Sequence, residues 1–178
     1  MRAPLGRDAD PFPSLVHSLM SSPDPSTYLR DAIDLAVKNV KTGQGGPFAA
    51  LVVQDGTVIA QGTNLVTMAS DPTAHAEIVA IRQACDAQDD FDLDGCTLYA
   101  TCEPCPMCLG AIYWARLDRV YYAATREDAA AVGFDDDHIY EELCAPPSDR
   151  RVPMTRHLRD AAQRPFEAWL DYEDRVEY

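Results

Sequence analysis

Lysine is nearly absent from this sequence: Lys38 and Lys41 are the only two in 178 residues. Arginine brings the basic total to 15, against 29 acidic residues, for a formal net charge of −14. A protein that grips a nucleic-acid backbone displaces counterions with Lys and Arg, so this balance argues against a polynucleotide-binding surface. Arginines do gather at Arg150, Arg151, Arg156, Arg159 and Arg164, but acidic and apolar residues interrupt them. Long apolar runs are missing too, and none approaches the length that spans a bilayer. The stretch Ser14 to Met20 is too short and too polar for a signal-peptide core, and no cleavage site follows it. The expectation is a cytoplasmic protein that engages neither membrane nor nucleic acid.

Six cysteines are present, at 85, 96, 102, 105, 108 and 144. In a chain of this length without a signal peptide, metal binding is a better reading than a disulfide framework. Cys102, Cys105 and Cys108 form a C-x-x-C-x-x-C run that invites an iron–sulfur assignment. The ferredoxin pattern then needs a fourth Cys followed by Pro, but positions 112 and 113 are Ile112 and Tyr113. The cluster reading fails.

The length suits one domain with a sizeable core. Residues 1–25 carry five prolines and read as an extended, poorly ordered arm; residues 26–178 read as a single domain. Asp24 or Ser26 caps a helix to about Lys41, with Leu29, Ile33, Ala36, Val37 and Val40 on one face. Two strands follow, Phe48 to Gln54 and Thr57 to Gly62, joined by the tight-turn pair Asp55-Gly56. A loop from Asn64 to Pro72 leads to a helix over Ala74 to Asp86. Thr97 to Thr101 reads as a buried strand, Cys105 to Ala115 as a helix, and Arg119 to Ala124 as another strand. A helical piece near Ile139 to Leu143, a strand over Val152 to His157 and a helix over Pro165 to Asp174 complete the pattern. Strands alternating with helices after an initial hairpin imply an α/β fold, a mixed sheet covered on both faces.

Chemistry concentrates in two segments, His75-Ala76-Glu77 and Pro104-Cys105-Pro106-Met107-Cys108. One imidazole and two thiolates suit a zinc ion with a fourth position open to water. Pro106 fits the first helical position, where its missing N–H costs nothing. Cys105 then sits at the helix entry with Cys108 one turn on, and the positive end of the helix dipole favours both thiolates. His75 also opens a helix. Residues two apart do not share a helix face, so the case for Glu77 as proton carrier rests on its place at the helix start and on the pattern itself. A structural zinc site would use four protein ligands. Cys102 reads as a small buried residue, and Trp114 as core.

The pair H-x-E and P-C-x-x-C is the signature of zinc-dependent nucleobase deaminases, and the chain resembles the cytidine-deaminase-like superfamily. Within it, the chain is similar to bacterial guanine deaminases over a long stretch. The similarity runs from Gly43-Gln44-Gly45-Gly46-Pro47-Phe48 through Asp71-Pro72-Thr73-Ala74-His75-Ala76-Glu77 and Cys102 to Arg116. It continues through Gly133-Phe134-Asp135-Asp136 to Pro165-Phe166-Glu167-Ala168-Trp169 and Glu177-Tyr178. The resemblance implies a three-layer α-β-α fold with a mixed five-stranded sheet, in a homodimer that exchanges its C-terminal segment. It implies zinc on His75, Cys105 and Cys108, with Glu77 and Asp136 as catalytic acids and bases. It also implies that Asn64, Phe48, Asp135 and Tyr178 contact a small purine, guanine, which is hydrolysed to xanthine and ammonia.

Without the resemblance these residues read more plainly. Asn64 ends a strand, Phe48 is core, the Asp135-Asp136-Asp137 run is a solvated loop, and Tyr178 is a frayed terminus. A one-residue slip in register exchanges Asp135 and Asp136. Related nucleoside or triazine deaminases, acting on guanosine or ammeline, share the same signature. A tRNA adenosine deaminase shares Pro72 to Glu77 but needs a cationic surface. The non-enzyme alternative is a binding module stapled by zinc.

Overall fold

A computed structural model describes residues 24–177. The expected N-terminal arm, up to residue 23, and Tyr178 lie outside the described residues. Asp24 accepts a hydrogen bond from the Ser26 N–H at 3.0 Å and caps helix α1 (Pro25–Lys41), with Pro25 in its first turn. Strands β1 (Ala49–Gln54) and β2 (Thr57–Thr63) form the expected hairpin, and a short helix α2 (Val66–Ala69) interrupts the loop after it. Helix α3 (Ala76–Gln88), strand β3 (Cys96–Cys102), helix α4 (Pro106–Trp114) and strand β4 (Arg119–Ala124) follow in turn. Beyond them lie helices α5 (Arg126–Ala130), α6 (Asp137–Cys144) and α7 (Arg164–Asp171).

The sheet has the order β2-β1-β3-β4, with β2 and β3 antiparallel to β1 and β4 parallel to β3. Period-two alternation divides it into two faces. Ala50, Val52 and Leu98 pack with Ala76, Ala80, Ala84 and Ile112 of α3 and α4. Leu51, Val53 and Tyr99 pack on the other face against Tyr28 and Ala32 of α1. The result is three layers, α-β-α.

Four strands form among the described residues, not five. The segment expected as the fifth, Val152 to His157, pairs with no strand. The Arg151 N–H donates to Glu142 at 2.7 Å, the Met154 N–H donates to the Pro147 carbonyl at 3.1 Å, and Pro153 has no N–H to give. With the Met154 donor turned to a local carbonyl, Pro153 lacking one, and Val152 75% and Met154 60% exposed, the segment has neither the ladder nor the buried face of a strand.

Helix α1 is also rotated from the face expected for it. Tyr28, Ala32, Ala36 and Asn39 are buried, while Ile33, Val37 and Val40 are exposed. The sheet offers α1 the bulky Leu51 and Tyr99. Alanine lets the helix axis approach such a surface; Leu29 and Leu35 pack at its margin, while Ile33, Val37 and Val40 are turned away from it.

Helix α3 sits against β2 through Ala76, Ala80 and Ala84, one small residue per turn. Opposite them Gly62 leaves no room for a side chain, because a Cβ there would meet the Ala76 carbonyl oxygen and the Ala80 amide nitrogen. This close approach fixes the height of the α3 N-terminus above the sheet. Gly62→Ala is therefore expected to lower unfolding free energy by about 2 kcal/mol through overpacking, measured by urea denaturation.

Candidate metal centre

Strand β3 ends at Cys102, and the chain turns into α4 with Cys105 as its N-cap residue. Helix α3 begins in the same manner, with His75 as its N-cap residue. Neither side chain caps its own helix. They turn to each other: His75 Nδ1 lies 3.5 Å from Cys105 Sγ and 3.6 Å from Cys108 Sγ. The three ligand atoms fall within 4.8 Å of one another. A tetrahedral zinc with its usual nitrogen and sulfur bond lengths has an N–S edge of about 3.6 Å, so this donor set fits zinc without rearrangement.

The two thiols are electrostatically unequal. Cys105 is lowered to about 4, chiefly because the Cys108 thiol hydrogen-bonds to it and also because His75 does. Cys108, wholly buried, is pushed up by that same hydrogen bond and by burial. His75 is raised, first by its hydrogen bond to Cys105. Glu77, in the first turn of α3, is 8% exposed, and burial raises its carboxyl above the ordinary range. A buried glutamate with that bias is suited to holding a proton and releasing it again.

His75, Glu77 and Cys105 line a cavity of about 600 Å³, a size that admits a small heterocycle. Asn64, Phe48, Asp135 and Asp136 line it as well. Asn64 is buried at the end of β2. Phe48 meets Phe134 edge-to-face, with ring centroids 4.9 Å apart. Asp135 accepts a hydrogen bond from the Asp137 N–H at 3.0 Å, a local turn contact. Asp136, at the start of α6, is raised by desolvation first and by the charge of Cys105 next. Cys102 faces the cavity too, with its thiol donating to the Thr125 carbonyl at 3.4 Å, and burial raises it to about 11. Trp114, expected in the core, is 69% exposed at the end of α4, because the buried side of that helix is carried by Cys108 and Ile112.

Phe134 and Arg126 are among the lining residues that sequence reasoning did not mark as site residues. Phe134 lies inside the Gly-Phe-Asp-Asp segment, beside the acids that drew attention instead. Arg126 had no local signal; its guanidinium stacks over Tyr140 at 4.7 Å and pairs with Asp137 at 3.6 Å, tying α5 to α6. No helix among the described residues is long and apolar enough to cross a membrane.

Residues 23–124 match the cytidine and deoxycytidylate deaminase zinc-binding region. The chain belongs to this family. It is 50% identical to the guanine deaminase of Bacillus subtilis over 157 residues, 85% of this chain and 97% of that protein. The crystal structure of that enzyme superposes with a TM-score of 0.86 over 88% of this chain and 99% of the other, at 49% identity. A guanine deaminase from Nitrosomonas europaea aligns at 0.60 and 37% identity, covering 64% of this chain and 65% of that one. The tRNA-specific adenosine deaminase of Haemophilus influenzae is 40% identical over 114 residues, 61% of this chain and 65% of that protein.

The centre makes a direct prediction about its ligands. Purified protein is expected to carry one zinc per chain by elemental analysis, and His75→Ala or Cys108→Ala to lose it. Cys102→Ala, which removes a thiol already bonded to a carbonyl, should retain it.

Proposed function

We propose that this chain hydrolyses guanine, releasing ammonia and leaving xanthine. The observation that carries the reading is the joining of a three-ligand zinc site to two carboxyl groups of raised pKa, Glu77 and Asp136, in one cavity. Similarity to the Bacillus subtilis guanine deaminase along nearly that enzyme's whole length directs the chemistry to guanine.

His75, Cys105 and Cys108 would hold the zinc, which would supply Lewis acidity to make water a nucleophile at neutral pH. Glu77 takes the proton that the attacking water gives up and delivers it to a ring nitrogen beside C2. The C2–O bond forms as the C2=N double bond to that ring nitrogen opens; the C2–N bond to the amino group breaks afterwards, as the remaining hydroxyl proton passes to the amine and C2=O forms. Asp136, on the opposite element, offers a second proton route to the departing amine, which leaves as ammonia. Asn64 hydrogen-bonds the purine, and Phe48 packs against the ring with Phe134 bracing it. Asp135 has the weaker claim on substrate, since its carboxylate serves the α6 turn.

The reading includes a homodimer in which the C-terminal segment closes over the neighbour's cavity, with Tyr178 sealing it. Exposure of the segment supports this: Leu158, Phe166 and Leu170 are apolar and bare within one protomer. A complementary surface is available on the body, where Ile33, Val37 and Val40 of α1 line a groove with Pro47. The free thiols of all six cysteines suit a reducing, cytoplasmic setting.

Ammonia release from guanine, guanosine, adenine, cytosine and ammeline tests the substrate. Turnover of guanine is expected. Glu77→Gln should keep its zinc and lose about a thousandfold in kcat, within the range for a general acid–base. Preference for guanosine or ammeline moves the substrate and keeps the mechanism. Zinc bound with no turnover of any base favours a binding module. Sedimentation should give a dimer, and a chain ending at residue 158 a monomer that still binds zinc.

A further inference from the structure

Asn39 sits in the last turn of α1, far from the motifs, and no part of the chemistry above requires it. Yet it is 2% exposed, one of few polar side chains buried this fully. Its amide nitrogen donates two long-range hydrogen bonds, to the Gly46 carbonyl at 3.0 Å and to the Asn64 carbonyl at 2.9 Å. Both partners are acceptors, so only the NH2 end of the amide satisfies them, and its orientation is fixed.

The contact closes into a ring. Gly46 returns its own N–H to Asn64 Oδ1 at 3.4 Å, and the Val66 N–H reaches the same oxygen at 3.3 Å. Asn39 thus holds the backbone on both sides of the Asn64 side chain, and backbone donors occupy the oxygen of that side chain. Gly45 belongs to the same arrangement, since a Cβ there would strike the Asn64 carbonyl and come within 3.2 Å of Asn39 Nδ2. A Cβ on Gly46 would lie 3.3 Å from Asn64 Oδ1. Asn39 Oδ1 meanwhile accepts no hydrogen bond among the described residues, although it is buried. An orphaned buried acceptor is costly. The fold tolerates that cost where the two donors hold Gly46 and Asn64.

We propose that Asn39 is a positioning residue that presents Asn64 to the substrate as a hydrogen-bond donor. With Oδ1 engaged by the Gly46 and Val66 amides, Nδ2 is the end of Asn64 left for a ligand. A donor at this place accepts a purine whose facing edge carries acceptors, as guanine does with O6 and N7, and rejects one that presents the 6-amino group of adenine. The inference rests on the guanine reading. It adds that discrimination between the two purines is set partly from α1, through a residue that never touches substrate.

The test is a double-mutant cycle on the zinc-loaded full chain, using Asn39→Ala, Asn64→Ala and the combined variant. Binding of guanine by calorimetry in a Glu77→Gln background gives a readout apart from turnover. Asn39→Ala is expected to raise KM and weaken guanine binding by about tenfold, the scale of one lost hydrogen bond. Zinc content and kcat should stay near those of the parent. In the Asn64→Ala background the same change should add almost nothing, because the residue it acts through is gone. Gly46→Ala, which crowds the Asn64 oxygen from the opposite side, should reproduce the KM effect, and it serves alone should Asn39→Ala not fold. Additive effects of the two asparagines, or an unchanged KM with only a lower melting temperature, would overturn the proposal. Failure of the parent chain to act on or bind guanine would sink the substrate reading instead, a separate result.

Discussion

Everything at the working end of this molecule depends on two helix N-termini being aimed at one point. Helices α3 and α4 rise from different loops, yet their N-cap residues, His75 and Cys105, meet at 3.5 Å. Helix starts carry unsatisfied N–H groups and positive dipole ends, which favours thiolate at this position. The sheet sets the meeting. Gly62 allows α3 to descend onto β2, and β3 delivers the chain to Cys105 on the same side. Loosening either support separates donors that belong to different helices.

Around that point the structure gathers negative charge under little water. Burial raises the carboxyls of both Glu77 and Asp136, and the charge of Cys105 raises each further. Such crowding is unfavourable for a fold in isolation and coherent for a site that receives a divalent cation and moves protons. The aromatic pair Phe48–Phe134 and Arg126, stacked on Tyr140, line the same cavity, to which the two acids come from separate elements, α3 and the start of α6.

Much of this was legible in the sequence because its cues are local. Asp55-Gly56 announces the hairpin, Pro106 the start of α4, and the spacing of His75, Glu77, Cys105 and Cys108 the chemistry. What escaped was decided by partners distant in the chain. Hydrophobic periodicity placed Leu29 and Ala36 of α1 correctly but also buried Ile33, Val37 and Val40, because it weighs side-chain size, whereas the bulky Tyr99 and Leu51 favour Ala32 at the contact. Val152 to His157 has the composition of a strand, but Pro153 interrupts it, the Met154 N–H goes to the Pro147 carbonyl, and its apolar side chains Val152 and Met154 find no face to bury. Arg126 and Asn39 had no motif to mark them, since an ion pair across two helices and a hydrogen-bonded ring across a loop exist only once the chain has folded.

The placement of the three ligands also orders the assembly in time. Between His75 and Cys105 lie only helix α3 and strand β3, so closing that loop waits for no later part of the chain. Strands β1 to β4 flank them, and the whole unit leaves the ribosome before the tail that carries α7 has been made. Helix α7 packs chiefly on the short 3₁₀ turn before it, Ala161–Gln163, and brings no early stabilisation to the centre. A nascent chain can therefore capture its metal while still tethered, protecting two reactive thiols from oxidation during synthesis.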